Sequence, residues 1–192
     1  MSRPALAAEP LGRHLILVGL PGAGKSAVGR LVAAALGRRF LDFDVEISRR
    51  EGMGIAEIFE RKGEQYFRAL EQQLTQEVRD MEGMVLSPGG GWVSRPETVA
   101  LVRPPATLMY LRVTPATALR RMGRGVSQRP LLRTPDPLGE LSNILAARGD
   151  IYEGADLIVD VEGITLQQVS ERVVAAFRDF SEGMSAGQGT PG

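Results

Sequence analysis

"HLILVGLPGAGKSAVGRLVAAAL", residues 14–36, decides the fold. Residues 14–20 are an almost unbroken apolar run ending beside a glycine, the pattern of a short strand covered on both faces. Gly19-Leu20-Pro21-Gly22-Ala23-Gly24-Lys25-Ser26 follows and fits G-x-x-x-x-G-K-[ST], after which the spacing predicts a helix over 25–36. Between a strand and a helix this motif is a phosphate cradle. The glycines let successive backbone N–H groups converge on phosphate oxygens without a Cβ in the way. The helix adds the positive end of its dipole. Lys25 is expected to bridge the β- and γ-phosphates of a nucleotide and Ser26 to ligate Mg²⁺, with Gly22, Ala23, Gly24 and Ala27 lining the same site. The bland alternative, a glycine turn that merely joins strand to helix, leaves the Lys-Ser pair without a purpose.

Working outward, 192 residues suffice for one ordinary domain with a buried core. A hydrophobic share of 43% and a charged share of 24% are those of a soluble globular protein. Lys plus Arg is 23 and Asp plus Glu is 23, so no broad basic surface for nucleic acid is expected, although a local pocket for a small anion is. With no Cys and the single His14 just ahead of the first strand, a general base must be a carboxylate or water. No apolar run approaches the roughly 18 residues that span a bilayer, and "MSRPALAAEPLGRH" lacks the apolar centre of a secretory signal. A cytoplasmic protein without a membrane partner is expected, with a flexible leader over 1–13 and a flexible tail over 181–192.

Apolar runs alternate with amphipathic stretches, as in βα units on a parallel sheet. Strands are predicted at 14–20, 38–44, 84–88, 107–113 and 156–161. Helices are predicted at 25–36, 55–61, 64–80, about 95–102, 115–122, 138–148 and 164–180. The segment "GRGVSQRPLLRTPDP", residues 123–137, is poor core material and suits a mobile flap.

A cradle does not name what receives the phosphate. The chain has no N-K-x-D segment of a regulatory GTPase, and its length fits a small-molecule kinase. Asp42 and Asp44 are expected to alternate along the end of the second strand, one near Mg²⁺ and one as proton acceptor for an attacking hydroxyl; as a pair they also read as helix caps. Arg68 and Glu71 stand at i, i+3 on a helix and can pair, a spacing that more often marks a solvated ion pair. Gly89, Gly90 and Gly91 follow the third strand, where open α/β sheets bind substrates. Arg129 on the flap is placed to neutralise a transferring phosphoryl group, and Arg121 or Arg124 to meet the nucleotide. Arg148, expected at the end of its helix, forms with Arg68 a clamp for a carboxylate. A carboxylate clamp beside a carboxylate base describes a hydroxy-acid acceptor.

In order and spacing, "GLPGAGKS", "FLDFDVEI", "IAEIFERKGEQYFRALE", "SPGGGWV", "QRPLL" and "RGDIYEGAD" resemble the shikimate kinase family from Leu15 to about Ala175. The resemblance implies a single P-loop kinase domain over 14–180: a five-stranded parallel α/β sheet flanked by helices, similar to nucleoside monophosphate kinases. It also implies a lid near 123–137 and a substrate-binding helical subdomain. It implies Mg²⁺-dependent transfer of the ATP γ-phosphate to the 3-hydroxyl of shikimate, in the pathway to chorismate and the aromatic amino acids, by a monomer. Shikimate contacts fall on Asp44, Arg68, Arg148 and the Gly89–Gly91 backbone. The lid arginine falls on Arg129, the adenine-side arginine on Arg121, and the Mg²⁺ positions on Ser26 and Asp42. Three departures stand out: Ala27 where a Thr is common, Trp92 where a small residue is common, and a lid about one residue longer than in some relatives. Trp92 is expected in the core. A kinase of another hydroxy acid such as gluconate, or a nucleotide-binding protein without turnover, remains the alternative.

Overall fold

Five apolar runs become five parallel strands: β1 Leu15–Val18, β2 Phe40–Asp42, β3 Val85–Ser87, β4 Thr107–Arg112 and β5 Leu157–Asp160. Their order across the sheet is β2-β3-β1-β4-β5, with every neighbouring pair parallel. The computed structural model describes residues 13–81 and 83–186, so the expected leader up to residue 12 and the last part of the expected tail lie outside the described residues. Because β1 is central, alternate residues feed two cores. Leu15 and Leu17 pack with Val32, Val173 and Phe177 on one face. Ile16 and Val18 pack with Ile58, Leu74 and Tyr110 on the other. Each such side chain contributes roughly 1.5–3 kcal/mol by leaving water.

The helices are α1 Lys25–Leu36, α2 Phe43–Glu51, α3 Ile55–Val78, α4 Pro96–Val99, α5 Pro115–Met122, α6 Pro137–Glu153 and α7 Leu166–Ala186. α1 and α5 begin and end where the sequence predicts. α2 is a correction, since a strand is expected to continue through residue 44. The strand instead stops at Asp42, whose side chain accepts from the Val45 N–H at 3.2 Å and caps a new helix. Asp44 and Glu46 in its first turn, Arg49 and Arg50 in its last, and left-handed Gly52 after it complement the helix dipole and close the C-terminus. Asp42 and Asp44 therefore do not alternate along a strand; one ends it and the other lies within the first turn of α2.

The two helices expected over 55–61 and 64–80 abut as α3, with the break at Gly63, whose φ of 83° and ψ of 165° are not helical. α4 is shorter than expected. α6 runs on to Glu153, so Arg148 stands inside it and not at its end. α7 reaches Ala186, past residue 180, so the first part of the expected flexible tail is helical; there Ser181 Oγ donates to Phe177 O at 2.8 Å. The flap segment holds two 3-10 helices, Gly123–Gln128 and Pro130–Leu132, with Leu132 buried. His14 is structural. Its Nδ1 accepts from Met84 N at 3.0 Å, which leaves Nε2 to donate to Val78 O at 2.9 Å, and burial holds its pKa down. Among the described residues, no helix is long and apolar enough to cross a membrane.

Candidate active site

All five strands point their C-terminal ends the same way, and the loops beyond them enclose two adjoining cavities. The first, of about 440 Å³, opens over the glycine turn between β1 and α1 and is lined by Gly22, Gly24, Lys25 and Ser26, with Asp42 opposite. Gly22 has φ 83°, and a Cβ there would collide with the Ala118 carbonyl oxygen of α5, so only glycine lets the turn pass under that helix. Lys25 Nζ folds back to donate to Gly19 O at 3.0 Å and Leu20 O at 3.1 Å. Burial lowers its pKa to about 8, Arg129 pushes the same way, and Asp44 and Asp42 oppose. An arriving polyphosphate would raise the pKa again and reinforce the ammonium form.

Ser26 Oγ donates to Asp42 Oδ2, which joins a hydroxyl and a carboxylate at the mouth of the cradle. Among the described residues no group of three or more His, Cys, Asp or Glu forms a self-contained metal cage. Arg121 spans the far wall, donating to Val161 O at 2.6 Å and Ala23 O at 3.5 Å. The side chain of Arg124 lies outside the described residues. Ala27 also lines this cavity.

The second cavity, of about 810 Å³, lies between α2, α3 and the flap, and contains Arg68, Gly91 and Arg148. Asp44, Gly89, Gly90 and Arg129 line both cavities. Asp44 is half-buried. Burial raises its pKa, with Asp42 adding and Arg129 and Lys25 opposing. Arg129 reaches from the flap to put Nη1 3.4 Å from Asp44 Oδ2, across the line where the cavities meet.

Two of the three glycines follow from packing. A Cβ on Gly91 would lie 2.7 Å from Arg68 Cζ, because the guanidinium rests on that backbone. A Cβ on Gly89 would lie 2.6 Å from Glu71 Oε1 and 3.2 Å from Asp44 Oδ1. Gly90 O accepts from Arg148 Nη1 at 2.8 Å, and Tyr152 Oη reaches the same oxygen at 3.4 Å. Trp92, 1% exposed, meets the expectation of core, and its Nε1 donates to Thr75 Oγ1 at 2.9 Å. Thr75 Oγ1 in turn donates to Glu71 O at 2.7 Å, so the glycine loop is tied to the helix that carries Arg68.

Of three residues beside the clamp, the sequence offers Glu71 as a partner of Arg68 and leaves out Glu64 and Tyr152. Glu64 accepts from Arg68 Nε at 3.1 Å and Nη2 at 2.8 Å; Glu71 accepts from Nη1 at 2.6 Å. Tyr152 stands one helical turn beyond Arg148. Spacings of i−4, i+3 and i+4 from the two arginines are the only signals that point to them.

The shikimate kinase family model matches residues 21–178. The chain is 40% identical over 176 residues to a shikimate kinase of Synechococcus sp. (strain RCC307), spanning 89% of this chain and 90% of that protein. This chain belongs to the shikimate kinase family. A shikimate kinase of Rhodopseudomonas palustris (strain ATCC BAA-98 / CGA009) is 39% identical over 168 residues, 88% of this chain and 82% of that one. The solved structure of shikimate kinase from Acinetobacter baumannii in complex with shikimate matches with a TM-score of 0.84 at 32% identity, covering 90% of this chain and 96% of that one. The expected sheet and family are therefore both met, and the chain is an ATP-dependent small-molecule kinase.

Proposed function

We propose that this chain transfers the γ-phosphoryl group of ATP to the 3-hydroxyl of shikimate by in-line displacement, in the route to chorismate and the aromatic amino acids. The observation that carries this reading is the shared wall. Asp44 and Arg129 line both the phosphate cavity and the cavity that holds the arginine clamp, so a hydroxyl and a γ-phosphate meet where those two side chains stand. Arg68 and Arg148 bind the acceptor's carboxylate through charge-assisted hydrogen bonds and fix its register. The Gly89–Gly91 backbone lets the acceptor approach closely. Asp44 orients the 3-hydroxyl and takes its proton; a carboxylate whose pKa is raised is the stronger base once ionised. The cradle, with Lys25, holds the outer phosphates, and Arg129 neutralises charge on the moving group as the flap closes and excludes water. Arg121 faces the nucleoside.

The touching Ser26 hydroxyl and Asp42 carboxylate form a hard-oxygen pair that would hold Mg²⁺ beside the phosphates. Bound there, Mg²⁺ would withdraw charge from the β- and γ-phosphates. One chain supplies both cavities, which supports a working monomer.

The test is ADP release by purified protein with ATP and Mg²⁺, alone, with shikimate, and with gluconate. Release that depends on shikimate and not on gluconate is expected. Release with gluconate alone would move the acceptor to another acid, and nucleotide binding without release would leave a binding protein.

A further inference from the structure

A buried carboxylate with no part in phosphoryl transfer sits against the acceptor clamp. Glu71 is 1% exposed, and while its Oε2 accepts from Arg68, its Oε1 has no hydrogen-bond partner. That oxygen faces the Gly89 backbone, in the direction of Asp44. A charged carboxylate oxygen without a protein donor in a buried site is costly, and a proton lowers the cost.

Arg68 has a second carboxylate on its Nε and Nη2 donors, Glu64, whose side chain is 57% exposed. One guanidinium therefore serves two carboxylates. Glu64 can swing into water, and Glu71 cannot. An acid held between Arg68 and Arg148 brings a third carboxylate to the same cation and takes donors that Glu64 gives up. Glu71 then keeps its burial and gains a like charge across the guanidinium.

We propose that Glu71 is a positioning residue that takes up one proton from solvent when an acid occupies the Arg68–Arg148 clamp, so that acceptor binding is proton-linked. The inference rests on the shikimate reading of this pocket. The proton goes to Glu71 Oε1, no other bond is made or broken, and Oε2 continues to accept from Arg68. The charged groups facing Glu71 are Arg68 on its own helix, with Glu64 behind it, Asp44 from α2, and Arg95 ahead of α4. In the empty protein, burial already raises the Glu71 pKa to about 7, with Arg68 opposing and Asp44 adding. A further negative charge moves it the same way.

Isothermal titration of the full chain with shikimate, at one pH near 8 in two buffers of different ionisation enthalpy, reads the protons taken up. Wild type is expected to take up a large fraction of one proton. E71Q, whose side-chain oxygen still accepts from Arg68, is expected to bind shikimate with uptake near zero, and D44N to retain the uptake. Equal enthalpies in the two buffers for wild type, uptake surviving in E71Q, or uptake lost in D44N and kept in E71Q would each overturn the inference. If E71Q fails to fold, the wild-type affinity decides. Linkage requires shikimate to bind up to about tenfold more weakly per pH unit as pH rises above the free-state pKa, and an affinity flat with pH would overturn it. No binding of shikimate at all would remove this inference together with the substrate reading, whereas binding without linkage would remove this inference alone.

Discussion

The two cavities are built in opposite ways. The phosphate cradle is eight contiguous residues, Gly19 to Ser26, between one strand and one helix, and much of its binding surface is backbone N–H. The acceptor pocket gathers side chains from α2, α3, the glycine loop, the flap and α6, from Asp44 to Arg148. The cradle needs little beyond its own turn. The pocket needs the whole fold, because Arg68 is held by Glu64 and Glu71 of its own helix while Arg148 is held by Gly90 O from the distant glycine loop, and only the fold sets the two arginines side by side. A recurrent local device thus supplies the donor, and a distributed one supplies the choice of acceptor. Damage to the pocket should spare nucleotide binding.

Asp44→Asn gives the sharpest separation, since removing a general base lowers kcat by about 10²–10⁴-fold. Nucleotide affinity, measured by titration calorimetry, should stay near wild type; parallel loss of both would show that the two cavities are not functionally separate. Arg68→Ala comes next. Truncating one partner of a buried charged contact costs about 2–5 kcal/mol, expected here in kcat/KM for shikimate with the KM for ATP almost unchanged. Full activity in that variant would contradict the clamp. Gly91→Ala sharpens the comparison further, because a Cβ 2.7 Å from Arg68 Cζ must displace the guanidinium. The guanidinium is the end of a flexible side chain, so it can shift at little cost in stability, and the loss should fall on shikimate KM. Trp92→Phe should show the smallest change. It removes the hydrogen bond to Thr75 Oγ1, worth about 0.5–1.5 kcal/mol, from unfolding free energy in urea, with kcat largely retained.

The same contrast explains what the sequence disclosed. The cradle is read directly, because its chemistry is a run of glycines with Lys25 and Ser26 at fixed offsets. The strands are read almost as well, since each is a short apolar run; the apolar residues of the inner three are buried, while the edge strand β5 leaves Ile158 exposed. Helix α2 was missed because "FLDFDVEI" opens with strand-like alternation; the cap at Asp42 and the acidic-to-basic gradient ending at Gly52 are the signals that overrule it. Asp42 meets the capping reading offered for it, and its other carboxylate oxygen accepts from Ser26. Arg68 and Glu71 at i, i+3 look like any solvated pair until the fold buries Glu71. Glu64, at i−4 from the same arginine, stays exposed. Periodicity alone cannot rank those two carboxylates, because their difference is burial. Trp92 needed only the expectation that a large apolar ring is covered.

Phosphorus NMR of the product formed from ATP and shikimate tests the central claim most directly. A single new phosphomonoester resonance, coupled to the proton on carbon 3 and growing at the rate of ADP release, is expected. ADP release matched by inorganic phosphate, or an ester on another oxygen, would contradict the placement of the 3-hydroxyl between Asp44 and the phosphate cradle.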